Sequence, residues 1–248
     1  MISRLAPVLL GWLAVAGAAA AATNNLAEAK TRGQALAQQL QDQFRPATNY
    51  TQTGTLKISP AEGKPVKFPL RCEVTVTPTN WQISYEALMT NGGGFTDGNR
   101  LKVVHAGNQP GEYTAGSDRE PVSWSGTGWV HPFAGSDFWA VDLGLEFIHW
   151  PEQKLLGHEL CRTRGCNLLE SMNPDPATNG YSRVVAWIDT EGGGIVKAEA
   201  YDANGKRLKE FYPKDIKKVD GQWQVETMDI SNVQTKSRTR LDFDLKKD

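Results

Sequence analysis

Three stretches of this chain alternate apolar and polar residues with a period of two. Cys72, Val74 and Val76 alternate with Glu73, Thr75 and Thr77; Trp81, Ile83 and Tyr85 with Gln82, Ser84 and Glu86; Leu241, Phe243 and Leu245 with Arg240, Asp242 and Asp244. Successive side chains on a strand point to opposite faces, so each stretch reads as a half-buried strand with one wet face. Such strands belong to antiparallel sheets. Turn signals lie between the strand-like stretches at short spacing: Pro78-Thr79-Asn80, Asn91 to Gly94, Glu191 to Gly194, Ala203-Asn204-Gly205 and Asp220-Gly221. Hairpins can be joined that tightly, whereas parallel strands need a crossover helix, and no helix-length pattern intervenes. The expected fold is mainly β: a meander forming a strongly curved antiparallel sheet or a barrel, opened or closed.

The N-terminus follows another rule. Leu26, Ala29, Ala35, Leu36 and Leu40 recur at helical spacing up to about Phe44, with Asn24 or Asn25 available as a cap and Pro46 as a stop. Ahead of this helix, Arg4 precedes an uncharged run containing Leu5, Val8, Leu9, Leu10, Trp12, Leu13 and Val15, and Ala18 to Ala22 offers A-x-A sites. This is the pattern of a secretory signal peptide. The run has the minimum length of a membrane span, but its second half is mostly alanine and glycine, which favours cleavage after Ala20 or Ala22. Residues 1–22 are therefore read as a leader and 23–248 as one exported domain. No cysteine stands at the cleavage site to carry a lipid, so a soluble product is expected. The net charge is −1, all but neutral. Nucleic-acid binding would call for a basic face, so no nucleic-acid partner is expected.

Export changes how the cysteines are read. Cys161 and Cys166 flank Arg-Thr-Arg-Gly, a hairpin-like turn, and nearby cysteines in an exported chain read first as a disulfide. Closing so short a loop contributes about 2 kcal/mol on the chain-entropy model. A zinc clip of His158, Cys161 and Cys166 lacks a fourth ligand at finger spacing. Cys72, alone on an apolar face, reads as a buried thiol.

One segment breaks the strand rhythm. From Pro121 to Pro151 seven residues are aromatic: Trp124, Trp129, Phe133, Phe138, Trp139, Phe147 and Trp150, against 9% aromatics overall. Ser136 could cap a short helix here, with Asp137 at its positive end. Two readings stand side by side. The rings plug the sheet as ordinary core, or they form a lid over a hollow and touch an apolar ligand. Burying an acyl chain is worth about 0.8 kcal/mol per methylene, so such a site needs a greasy cavity and no catalytic side chain.

Motifs for catalysis are sparse. The chain has no Gly-x-Ser-x-Gly elbow and neither zinc-protease histidine pattern. The sharpest enzymatic alternative gathers His149 and His158 with Glu146, Asp137 or Asp142 for metal or acid–base work. The glycine runs 92–94 and 192–194 lead into strand-like sequence and read as turns. They do not read as phosphate cradles, which lead into helices. No enzyme, metal or cofactor is expected.

The order of several pieces resembles a known family. Gly135-Ser136-Asp137-Phe138 with Asp142-Leu143, His149-Trp150 and Leu156-Gly157-His158-Glu159-Leu160 is followed by Tyr181 to Val185, Trp187-Ile188-Asp189, Ala200 to Lys206, Val219 to Trp223 and Thr239-Arg240-Leu241. From Gly135 to the C-terminus this resembles the LolA-like family of periplasmic outer-membrane lipoprotein-sorting proteins, in its large uncharacterised branch. The resemblance implies a half-open antiparallel β-barrel over short helices that act as a lid. It implies a soluble periplasmic setting and a concave face for lipoprotein acyl chains or other lipid, with inner- and outer-membrane sorting proteins as partners. The polar lid contact of the well-studied carrier has no counterpart identifiable here. Relatives of this barrel serve as envelope-stress sensors, so a protein-binding sensor or scaffold is the alternative.

Overall fold

The computed structural model describes residues 13–88, 99–107, 109–116, 120–124, 129–219 and 222–245. The strands are β1 (Tyr50–Ser59), β2 (Val66–Val76), β3 (Asn80–Ala87), β4 (Arg100–Ala106), β5 (Glu112–Gly116), β6 (Pro121–Trp124), β7 (Glu152–Cys161), β8 (Arg164–Met172), β9 (Arg183–Asp189), β10 (Ile195–Tyr201), β11 (Arg207–Val219), β12 (Gln222–Asn232) and β13 (Ser237–Phe243). All are antiparallel in one 13-stranded sheet, ordered β6-β5-β4-β3-β2-β1-β13-β12-β11-β10-β9-β8-β7. The expected meander is present as a curved, open sheet, the half-open barrel. The first strand is tied to the last: β1 pairs with β13, Leu56 facing Leu241. The opening therefore falls between β6 and β7, which are consecutive in sequence. The aromatic segment is the connection across that opening.

The alternation sorts side chains as expected. Leu70, Cys72 and Val74 of β2 are buried, and Arg71 and Glu73 between them are exposed. β9 differs, because both of its faces are covered. Val184, Ala186 and Ile188 face the hollow, while Val185 and Trp187 pack with Cys166 on the convex side. Loop geometry also agrees with the turn signals at Gly193 and Gly205, whose φ values are 69° and 73°. The Asn91–Gly94 and Asp220–Gly221 turns lie outside the described residues.

The helix α1 spans Leu13–Phe44. Asn24 and Asn25 thus lie inside it and not at its start, because the alanine-rich stretch before them is a strong helix former that continues it. α1 packs along β7, the exposed edge. The contact is close: a Cβ on Gly33 would sit 2.5 Å from the backbone of Lys154. The helix thereby covers an edge that would otherwise be open to pairing. Among the described residues no helix is long and apolar enough to cross a membrane.

The β7–β8 hairpin sets how two of the cysteines stand. Its turn is Arg162-Thr163, both left-handed at φ 49° and 69°, the conformation of a tight two-residue hairpin turn. This register pairs Cys161 with Arg164 and Cys166 with Glu159. The two cysteines share the convex face but sit diagonally, and both are thiols. Diagonal neighbours lie about 7–8 Å apart, beyond the usual Cα separation of a disulfide. Cys72 is a buried thiol, and burial pushes it up to about 12.

Candidate functional site

The segment between β6 and β7 fills the hollow. It is built from a 3-10 turn at Phe133–Gly135, a single helical turn α2 at Ala140–Leu143 and a second 3-10 turn at Glu146–His149. It folds partly on itself: Pro132 bridges Trp139, and Phe133 N–H donates to Phe138 O at 2.8 Å. The expected helix start at Ser136 is not realised. Ser136 ends the first 3-10 turn, and α2 begins at Ala140, where the Asp142 carboxylate accepts the Trp139 N–H at 2.8 Å. Asp137 is instead turned toward the sheet, where Thr239 and Ser237 hold it.

The seven aromatic residues divide over two cores. Phe133 and Phe138 are buried against Leu56, Leu70, Tyr85, Leu101 and Leu241, with Trp124 and Trp129 packed at the margin. Phe147 and Trp150 are buried with Val184, Ala186, Ala198 and Ala37 of α1, with Trp139 at that margin. Trp129 touches both cores. This segment is hence a plug, and its rings are the filling of the barrel.

Polar contacts fasten the plug at three points. Asp137 accepts from Thr239 Oγ1 at 2.8 Å and from Ser237, while its N–H donates to Thr239 Oγ1 at 2.9 Å. Asp142 accepts from Tyr181 Oη at 2.8 Å and from Lys209 Nζ at 3.3 Å. Glu146 accepts from Tyr113 Oη at 2.9 Å and from Gly111 N–H at 3.0 Å. Burial pushes the Glu146 carboxyl up to about 7, against these two hydrogen bonds that lower it. Gly144 makes that third contact possible, since a Cβ there would lie 2.1 Å from Tyr113 Oη. Gln153 adds a brace, donating to Phe147 O and Trp150 O while Ser171 donates to it.

Lys209 is the least expected member. It is 1% exposed on β11. Its Nζ donates to Asp137 O at 2.6 Å and lies 3.3 Å from the centre of the Trp139 ring. Burial lowers it to about 8, with Asp142 acting in the opposite direction.

His149 meets a partner that the sequence did not suggest. Its ring lies 5.2 Å from that of His105, which in turn stacks on Trp81 at 4.2 Å. His105 is 2% exposed, and neither of its ring nitrogens has a hydrogen-bond partner among the described residues. Burial lowers both histidines to about 4, and for His105 the neighbouring His149 adds to it. His158 is exposed on β7. The acid–base set of His149, His158, Glu146, Asp137 and Asp142 is thus not assembled: its three acids fasten the plug at separate points. Among the described residues no three His, Cys, Asp or Glu side chains converge to hold a metal ion.

Two small cavities lie beside the plug among the described residues. One of about 60 Å³ is lined by Gln41, Trp81, His105 and His149. The other, about 30 Å³ and largely apolar, is lined by Val184, Ala198, Phe211, Tyr181 and Lys209. Both are far below the roughly 300 Å³ at which ligand pockets begin.

The open antiparallel half-barrel has counterparts among known proteins. A family model described as an uncharacterized protein family matches residues 119–246. The chain belongs to this uncharacterized family, and its fold is LolA-like. A DUF1329 family protein from Desulfovibrio piger is similar in structure with a TM-score of 0.71 at 18% identity, over 87% of this chain and 91% of that one. An outer membrane lipoprotein-sorting protein domain from Vibrio parahaemolyticus gives 0.73 at 19%, over 87% and 92%. A LolA superfamily protein from Nitrosomonas europaea gives 0.62 at 13%, over 86% and 91%. No curated protein matches the sequence. At these identities the likeness is one of fold.

Proposed function

We propose that this protein is an exported, periplasmic binder of acylated ligands, lipoprotein acyl chains or other lipid, and that the structure is its closed form. The observation that carries the reading is the nature of the filling. The concave face is largely apolar, with Thr239, Lys209 and His105 among its polar positions, and most of its cover is the crossover fastened by Asp137, Asp142 and Glu146, beside Ala37 and Leu40 of α1. A unit held that way can leave as a unit. The energies are comparable. Exposing Phe133, Phe138, Val141, Leu143, Phe147, Ile148 and Trp150 costs on the order of 10–21 kcal/mol, and burying a sixteen-carbon chain returns about 12 kcal/mol, two such chains about 24. A ligand can therefore replace the plug without a large net change in buried apolar surface. The carrier fold of the family and the leader-like N-terminus support the same reading. The Cys161–Cys166 bridge belongs to this proposal too, since the periplasm is oxidising. It requires the hairpin tip to shear, and the intact mass of the unreduced protein tests it.

The test is to purify the protein natively, extract it with organic solvent and identify lipids by mass spectrometry, then titrate a diacylated peptide. Co-purified lipid or saturable peptide binding is the expected result. Neither occurring would overturn the reading. A second reading, a sensor or scaffold for a protein partner, draws on the smallness of the two cavities. A stable protein complex formed by a lipid-free, non-binding protein would favour it.

A further inference from the structure

Resting on the acyl-binding reading, we propose that the ligand carries a carboxylate head and that Lys209 and Tyr181 receive it in the place now held by the plug's own Asp142. The Lys209 ammonium touches the Tyr181 ring at 5.4 Å, but both of its hydrogen-bond acceptors and its nearest ring belong to the plug: Asp137 O, the Asp142 carboxylate and the Trp139 ring. The Tyr181 hydroxyl likewise donates to Asp142, at 2.8 Å. Two donors from the sheet side thus converge on one carboxylate, one donor to each oxygen. Around them the wall is apolar, with Val184, Ala198, Ala200, Phe211 and Ile230 lining the same cavity.

When the plug leaves, Lys209 and Tyr181 stay with the sheet and lose every plug contact just named. A buried ammonium without an acceptor is strongly disfavoured, so the incoming ligand must supply one. A carboxylate restores both hydrogen bonds and the charge. An ester carbonyl restores one bond and no charge, and a hydrocarbon end restores nothing. Asp142 is in this sense a stand-in for the ligand head, and plug and ligand compete for one pair of donors. The acyl ligand that best satisfies this site is a long-chain fatty acid.

The experiment titrates the purified protein with palmitate, methyl palmitate, palmitoyl lysophosphatidate and a diacylated peptide, each below its aggregation threshold. Palmitate is expected to bind at least tenfold more tightly than methyl palmitate. Lys209→Met should erase that difference, and Asp142→Asn should tighten palmitate several-fold by weakening its rival. The wild-type comparison of the two palmitates needs no variant, so a poorly folding Lys209→Met leaves the test intact. Equal affinity for the acid and its ester would overturn the inference. So would an unchanged preference in a folded Lys209→Met protein. Tighter binding of lysophosphatidate than of palmitate would also overturn it, in favour of a phosphate head. If the diacylated peptide and methyl palmitate bind as well as palmitate, the acyl-binding reading stands and this inference falls. If nothing binds, both fall.

Discussion

Single residues decide how firmly the plug sits. Gly144 is the clearest case, because any side chain there collides with the Tyr113 hydroxyl. Gly144→Ala should break the Tyr113–Glu146 hydrogen bond and lower stability by about 2 kcal/mol, read as a fall in denaturant midpoint. The buried titratable groups make a second prediction. His105 and His149, lowered to about 4, take up protons only in the unfolded chain between the ordinary value of 6.5 and 4, so their contribution is complete above pH 6.5 and is lost as the pH falls. Glu146, raised to about 7 from 4.5, acts the other way: its contribution is complete at low pH and is lost as the pH rises through 7. Two groups outweigh one, so the melting temperature should fall between pH 6.5 and 4. Glu146→Gln should melt higher than wild type at pH 8 and lose stability more steeply on acidification. A wild-type melting temperature flat across that window would contradict the assignment.

Elements were legible in the sequence where one face alone is buried. Cys72, Val74 and Val76 announce β2 because their neighbours are polar. β9 is harder to read, since Val184 to Ile188 is buried on both faces and shows no alternation. Lys209 was hidden for a related reason: Leu208, Phe211 and Tyr212 blur the period of β11, and a lysine in that run looks solvent-facing. His105 did leave a signal, as it continues the in-facing series Leu101 and Val103, but a polar residue at the end of a strand reads as its boundary. The plug was visible as an excess of rings, while its internal structure was not. Its turns follow from contacts with Thr239 and Tyr113, far away in sequence, and not from local capping at Ser136. At this scale α1 is the guard of the β7 edge. Gly33→Val should push the helix off Lys154 and bare that edge, and light scattering should then show self-association that wild type lacks. A monodisperse, fully folded Gly33→Val protein would contradict this role.

At the scale of the whole molecule, the pairing of β1 with β13 fixes where the barrel opens. Nothing local in the sequence specifies that pairing, because it joins the first strand to the last, far apart along the chain. Once it forms, the sheet's two edges are the strands on either side of the crossover, and the crossover has one place to go. The result is a hollow filled by a separate unit with acids at three anchoring points. The central claim is that this unit gives way to a ligand. Hydrogen exchange across residues 129–151, measured with and without bound palmitate, tests it most directly. Release of the plug predicts faster exchange of the Phe133, Leu143 and Ile148 amides in the bound state, with β1, β2 and β13 unchanged. Binding with undiminished protection across 129–151 would contradict it.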